Sequence, residues 1–506
     1  MKIQFLIAIL IGSLSCLCWS CDHQTKDELK PNIIIFYVDD LGYGDLSGYG
    51  AKGVSTPNVD RLVNGGLKFT DAHSPAATCT PSRYSLLTGE YAFRNNARIL
   101  PGDAPLLIDT AKLTLPKMLK KAGYTSAVVG KWHLGLGNGQ IDWNGKVSPG
   151  PLEIGFDYSF LLPATGDRVP SVYLENHHVV GLDPADPIQV SYNEKIGNRP
   201  TGIENPELLR YAADRQHSET IVNGISRIGY MAGGESALWK DEDFANILTE
   251  KANRFIADNQ EKPFFLYFSF HDIHVPRLPH DQFLGKSQMG LRGDAIVQMD
   301  WMTGQVMSQL RKLGLEENTL VIFTSDNGPV LNDGYEDKAV ELLGEHQPGG
   351  VYRGGKYSAF EAGTRVPFVA YWPDQIQAGE SKALFTQTDL LASLAHLTEV
   401  DIEGADIDAE NQLDALLGLD SVGREVMLEE AFAFALRKGH WKYIAPVPAQ
   451  KAFPNWLKNK TIEGGVDTIP QLFDLSTDPA EQVNLAQKNS ELVTALQQEL
   501  QLIVEK

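Results

Sequence analysis

Four apolar runs in this chain each end in side chains that can do chemistry. Ile33 to Val38 leads into Asp39-Asp40, and Thr125 to Val129 leads into Gly130-Lys131-Trp132-His133. Phe264 to Phe270 leads into His271-Asp272-Ile273-His274, and Leu320 to Thr324 leads into Ser325-Asp326-Asn327-Gly328. Any one of these by itself reads more readily as a helix cap or a turn than as a ligand. Together they set carboxylates, a carboxamide, a lysine and histidines at equivalent places, which caps and turns do not explain. Asp39, Asp40, Asp326 and Asn327 form an all-oxygen set, and such ligands suit a hard cation, Ca²⁺ or Mg²⁺, rather than zinc.

A cysteine adds a second kind of chemistry. It sits in Thr78-Cys79-Thr80-Pro81-Ser82-Arg83 and is followed by Thr88-Gly89. Pro81 suits the first turn of a helix and Gly89 its end. Cys79 is therefore expected at a helix N-terminus, where backbone N–H groups attract anions. Arg83, one turn later, adds a fixed positive charge.

These residues need a scaffold that brings them together. Amphipathic helices stopped by glycine alternate with apolar strands: Pro57 to Asn64 before Leu67 to Phe69, Leu113 to Ala122 before Thr125 to Val129, and Asp294 to Leu313 before Leu320 to Thr324. The strands lack polar alternation, as strands covered on both faces do. The expected fold class is α/β, a large and mostly parallel sheet flanked by helices. In such a sheet ligands bind beyond the carboxyl ends of the strands, where all four runs deliver their polar residues. The catalytic α/β domain is expected over 31–400. A smaller α+β subdomain is expected over 401–506, with a hairpin of Ala431 to Leu436 and Trp441 to Ile444 and a terminal helix.

The first residues, MKIQFLIAILIGSLSCLCWSC, carry one Lys and then an apolar stretch. Residues 1–20 read as a secretory signal peptide and 21–30 as a linker. A lipoprotein signal would make Cys21 the lipid carrier, although Cys18-Trp19 fits a lipobox poorly. The alternative is a membrane-anchoring helix. Export across the inner membrane is expected either way, to the periplasm or to a lipid-anchored place at the cell envelope. Three of the four cysteines fall in this segment, so the body keeps only Cys79 and no disulfide is expected within it. With 44 Lys+Arg against 65 Asp+Glu, the net charge of -21 argues against nonspecific binding of nucleic acid or anionic lipid.

The Cys-x-Pro-x-Arg pattern followed by Thr-Gly resembles the signature of the type I sulfatases, within the alkaline phosphatase-like superfamily. The likeness runs from PNIIIFYVDDLGYGD through CTPSR, GKWHLG, HDIHVP, TSDNG and GGKYSAFEAGTRVP to LFDLSTDPAEQVNLA. It implies that Cys79 is oxidised to formylglycine by a maturation enzyme. One hydroxyl of the aldehyde hydrate would attack sulfur and expel the alcohol. The other would then lose its proton, and collapse to the aldehyde would release sulfate. The resemblance further implies one Ca²⁺ per chain on Asp39, Asp40, Asp326, Asn327 and the modified Cys79. Arg83 would steady the hydrate, Lys131 and Lys356 would hold sulfate oxygens, His133 would serve the second hydroxyl, and His274 would attend the leaving alcohol. His271 falls off the family pattern and reads as a packing residue.

The expected substrate is a sulfated glycan, by resemblance to bacterial secreted carbohydrate sulfatases. An exo-acting enzyme on galactose or N-acetylgalactosamine sulfate is expected, with the 3-O position favoured. The loops from Leu161 to Trp239 and from Val330 to Lys356 should carry selectivity. In them His177, Asp333 and Arg353 could bind sugar hydroxyls, or could be solvated loop residues. Two other functions fit the same residues: a phosphonate or phosphate ester hydrolase, and a non-catalytic sulfoglycan-binding protein with Cys79 unmodified.

Overall fold

The computed structural model describes residues 30–449, Leu457 and 462–506. The expected signal peptide, with Cys16, Cys18 and Cys21, lies outside the described residues. Among the described residues no helix is long and apolar enough to cross a membrane.

A ten-stranded mixed sheet forms the centre. Its five middle strands are parallel, in the order Thr319–Ser325, Asn32–Val38, Phe264–Ser269, Thr125–Lys131 and Tyr158–Leu162. Antiparallel pairing begins on both sides of this group, at Phe368–Tyr371 and at Leu174–Glu175. The expected parallel sheet is thus the middle of a wider mixed one. Register keeps the carboxyl ends of the middle strands level: Val38 lies opposite Ser325, Tyr37 opposite Ser269, and Ser269 opposite Gly130.

The unbroken apolar runs follow from burial on both faces. Ile33, Ile35 and Tyr37 point into one core, shared with Leu86 and Leu87 of helix Cys79–Thr88 and with Leu390 and Leu394 of helix Leu390–Leu397. Ile34, Phe36 and Val38 point into the other, with Leu62 of helix Pro57–Gly65, Leu248 of helix Phe244–Asp258 and Met299 of helix Gly290–Leu313. Truncating a buried Ile or Leu to Ala in either core should cost about 2–5 kcal/mol. Helix Gly290–Leu313 starts four residues before the expected Asp294, whose carboxylate instead accepts from the backbone N–H groups of Gly285 and Ser287. It stops where Gly314 turns left-handed at φ 69° and Arg311 and Lys312 face the carbonyl end.

The C-terminal unit is a four-stranded antiparallel sheet, Val426–Glu430, Phe434–Lys438, Trp441–Ile444 and Gln471–Asp474, under helix Ser490–Glu505. The turn before its second strand takes residues 431–433, so that strand starts later than expected and extends to Lys438. Leu413 and Leu416, beyond residue 400, still pack in the main core with Leu390. Arg437 and Lys442 of the small sheet reach Glu361 of the large unit at 2.9 and 3.1 Å, tying the two together through buried charges.

Candidate active site

The level strand ends bring the acidic residues together. Asp39 and Asp40 leave Asn32–Val38, and Asp326 and Asn327 leave Thr319–Ser325. All four are fully buried. Asp40 turns left-handed at φ 63°, and its N–H donates to Asp326 Oδ1 at 3.3 Å. Asn327 Nδ2 donates to Asp40 Oδ1 at 2.8 Å. Asp39 Oδ1 and Asn327 Oδ1 are buried without any hydrogen-bond partner. Buried oxygens are seldom left so. Asp39, Asp40 and His274 each offer a ligand atom within 4.8 Å of the others. Burial, then the Asp326 charge, push the Asp39 carboxyl well above its ordinary range. Burial would raise Asp326 too, but Arg83, Lys131 and Lys356 outweigh it and hold Asp326 below. Crowded, desolvated carboxylates with two orphaned oxygens fit an oxygen-loving divalent cation. A second acid and histidine cluster, Asp71, His73 and Glu361, is already answered by Arg365 and Arg437.

Three cations border the acids. Arg83 places Nε 3.0 Å and Nη2 2.7 Å from Asp326 Oδ2. Lys131 pairs with Asp39. Lys356 Nζ lies 2.9 Å from Asp40 Oδ1 and 3.1 Å from Asp333 Oδ2. All three are buried. Fixed positive charges in so dry a setting attract an anion strongly.

Cys79 opens helix Cys79–Thr88, which ends as expected at a left-handed Gly89. Its Sγ lies 3.3 Å from His133 Nδ1, while His133 Nε2 lies 2.9 Å from the Leu100 carbonyl. A carbonyl only accepts, so Nε2 carries the proton and Nδ1 faces Cys79 with its lone pair. Burial and then Lys131 hold His133 well below its usual range, keeping it neutral. Burial pushes the Cys79 thiol up, against the thiolate a cysteine nucleophile needs. His274 donates Nδ1–H to the Val275 carbonyl at 2.6 Å and turns Nε2 toward Asp40, 3.9 Å away. Burial, Lys356 and Lys131 depress it strongly.

Cys79, His133, His274 and Lys356 line one cavity of about 270 Å³. The match to the family model named Sulfatase covers residues 31–400. The chain belongs to the sulfatase family. Over 94% of both chains, this sulfatase is 53% identical to the N-acetylgalactosamine-6-O-sulfatase of Bacteroides thetaiotaomicron. It is 32% identical to human Arylsulfatase A over 94% of its own length and 87% of that protein's. It superposes on a solved structure from work on the metabolism of multiple glycosaminoglycans by Bacteroides thetaiotaomicron with TM-score 0.92 at 52% identity, covering 94% of this chain and 100% of that one. The sulfatase is a sulfuric ester hydrolase with a fold of the alkaline phosphatase-like kind.

The sulfatase's cavity includes residues that sequence reasoning did not select. Asp167, Arg168, Tyr192 and His217 line it, all from the long Leu161 to Trp239 stretch. His217 stands between Asp214 at 2.7 Å and Asp167 at 3.3 Å, and Arg168 pairs with Asp167 at 2.7 Å. Gly334, at φ 105°, makes room for this histidine, since a Cβ there would lie 2.2 Å from its Nδ1. The only sequence signal was the length of the irregular loop. Of the three expected sugar contacts, Asp333 reaches the cavity, where it holds Lys356 and Tyr357. His177 does not line it and bonds Glu153 at 2.9 Å. Arg353 does not line it either; it bonds Glu463 at 2.7 Å and lies over the Phe360 ring. His271, its Nε2 unpaired and facing Gly166, packs on Phe244 at the end of its strand.

Proposed function

We propose that this sulfatase removes the 6-O-sulfate of N-acetylgalactosamine at the end of a glycan chain, with Cys79 converted to formylglycine and one Ca²⁺ bound. The observation that carries the substrate assignment is the 53% identity over 94% of both chains to an N-acetylgalactosamine-6-O-sulfatase. It favours 6-O over the 3-O position expected from the sequence. A cavity of about 270 Å³ has room for one sulfated sugar ring, as exo action requires.

Asp39, Asp40, Asp326, Asn327 and the modified Cys79 would hold Ca²⁺, which neutralises charge on the transferring sulfate oxygens when bound. Formylglycine at position 79 supplies a nucleophilic hydroxyl and, after transfer, an exit for sulfate that a serine or cysteine ester lacks. The chain's own side chains do the rest. Lys131 and Lys356 hold sulfate oxygens, and Arg83 fixes the nucleophile's surroundings through Asp326. His133 Nδ1 faces position 79 with its lone pair and takes the proton that the second hydroxyl must lose. His274, its Nδ1–H held by the Val275 carbonyl, presents Nε2, and in its imidazolium form would give the leaving oxygen the proton it needs, the negative charge developing there offsetting the opposing charges of Lys356 and Lys131. Asp167, Arg168 and His217, which line the same cavity, would hydrogen-bond the sugar's hydroxyls. Export follows residues 1–20, maturation of Cys79 requires a formylglycine-generating partner, and membrane attachment would come only through lipid on Cys21.

The test is sulfate release from the 3-, 4- and 6-sulfates of N-acetylgalactosamine and the 6-sulfate of N-acetylglucosamine, with conversion of Cys79 verified by peptide mass. Release from N-acetylgalactosamine 6-sulfate alone is expected. Faster turnover of a phosphonate or phosphate ester, or native-host protein that binds the sulfated sugar with Cys79 unconverted, would replace it with one of the other functions named above.

A further inference from the structure

Asp333 poses an electrostatic problem. Its carboxylate lines a cavity that must admit a sulfate anion, and like charges in a dry site repel strongly. The structure answers with Tyr357. The phenol OH donates to Asp333, 3.1 Å from Oδ2 and 3.3 Å from Oδ1, while Lys356 Nζ lies 3.1 Å from Oδ2. The ammonium is thereby held between Asp333 and Asp40 and 5.3 Å above the Tyr357 ring.

The backbone supports the same role. Tyr357 is left-handed at φ 74°, a conformation uncommon for a bulky side chain and one that persists where surrounding structure enforces it. Lys356 N–H donates to the Pro329 carbonyl at 2.9 Å, just past Asp326-Asn327, and Tyr357 N–H to the Ala77 carbonyl at 2.8 Å, just before Cys79. The pair is therefore pinned between the two segments that carry the acids and the nucleophile. From the C-terminal sheet's first turn, Phe432 brings its ring 6.4 Å from that of Tyr357.

We infer that Tyr357 is a positioning residue for sulfate, keeping Asp333 occupied and, through it, Lys356 aimed at the anion. This rests on the sulfate-holding role of Lys356 proposed above. It acts through its hydroxyl, so Tyr357→Phe keeps the ring and tests the donor alone.

The experiment titrates inorganic sulfate calorimetrically, with calcium present, into the parent, Tyr357→Phe, Lys356→Ala and the double variant, and records Tm and the KM and kcat of each. Tyr357→Phe should weaken sulfate about five-fold, less than the loss of a charged hydrogen bond made directly to the ligand, because the effect passes through Asp333 and Lys356. Its Tm should stay at the parent value, and KM should rise more than kcat falls. In the Lys356→Ala background the same substitution should change sulfate affinity less than two-fold, because the group it positions is gone. Unchanged sulfate binding in Tyr357→Phe overturns the inference, as does full additivity with Lys356→Ala or a loss of affinity that tracks a lowered Tm. If Lys356→Ala itself leaves sulfate binding intact, the role of Lys356 fails first, and the inference with it.

Discussion

The sulfur of Cys79 lies 3.3 Å from Nδ1 of His133, although 54 residues separate them in the chain. His133 is turned by its bond to the Leu100 carbonyl so that the facing nitrogen accepts rather than donates. Position 79 thus has a neutral base beside it and the N-terminus of a helix beneath it. Cys79→Ala should abolish sulfate release while leaving Tm within a few degrees, because a small buried side chain is replaced by one of similar volume. Activity assays and a thermal melt check this together, and turnover at the parent rate would remove Cys79 from the mechanism.

Asp326 accepts from two nitrogens of Arg83, and its charge acts on Asp39, whose Oδ1 is orphaned. Asp326→Ala should therefore do two things at once. It should abolish calcium binding measured calorimetrically, and it should destabilise the fold by about 3–5 kcal/mol, since Arg83 is left buried without its partner. A variant that binds calcium as the parent does would displace Asp326 from the ligand set.

The two loop histidines make a contrasting pair. His217 lines the cavity between two carboxylates, whereas His177 is tied to Glu153 outside it. His217→Ala should lower kcat/KM on N-acetylgalactosamine 6-sulfate by about 10- to 100-fold, the range for losing a charged hydrogen bond. His177→Ala should stay within about two-fold of the parent. Steady-state kinetics on the same substrate decide it, and the reverse order would return His177 to the sugar site.

Asp300 gives a pH signature far from the chemistry. Its carboxylate accepts the N–H groups of Asn58 and Val59 at 2.9 and 2.8 Å, serving the N-terminus of helix Pro57–Gly65 from a neighbouring helix. Burial nonetheless pushes its pKa up to about 6. Between the ordinary carboxylate value, about 4, and that value, the unfolded chain binds fewer protons than the folded one. Stability from this group therefore falls as pH rises through that window and is level above it. Asp300→Asn does not titrate, so its Tm relative to the parent should improve between pH 4.5 and pH 7.5. Parallel melting curves at the two pH values would contradict the shift.

The sequence by itself determined the parts of this enzyme that depend on local chemistry. Unbroken apolar runs such as Ile33 to Val38 require cover on both faces, and a parallel sheet is the arrangement that supplies it. Because register levels such strands, the polar residues after them had to meet at one rim, and Asp39, Asp40, Asp326, Asn327, Lys131 and His274 do. Cys79, Pro81, Arg83 and Gly89 specify a helix start, a charge and a stop within a few residues. The tertiary structure alone decided what depends on distant loops. Nothing local separates His217 from His177 or shows that Arg353 is taken by Glu463, because the irregular stretches have no periodicity to fix where a side chain points. The same holds for Leu413 and Leu416, which lie past residue 400, the expected end of the domain, yet fill the core beside Leu390. Their places follow from which apolar and charged surfaces were still uncovered once the sheet had formed, a condition of the whole chain rather than of any segment.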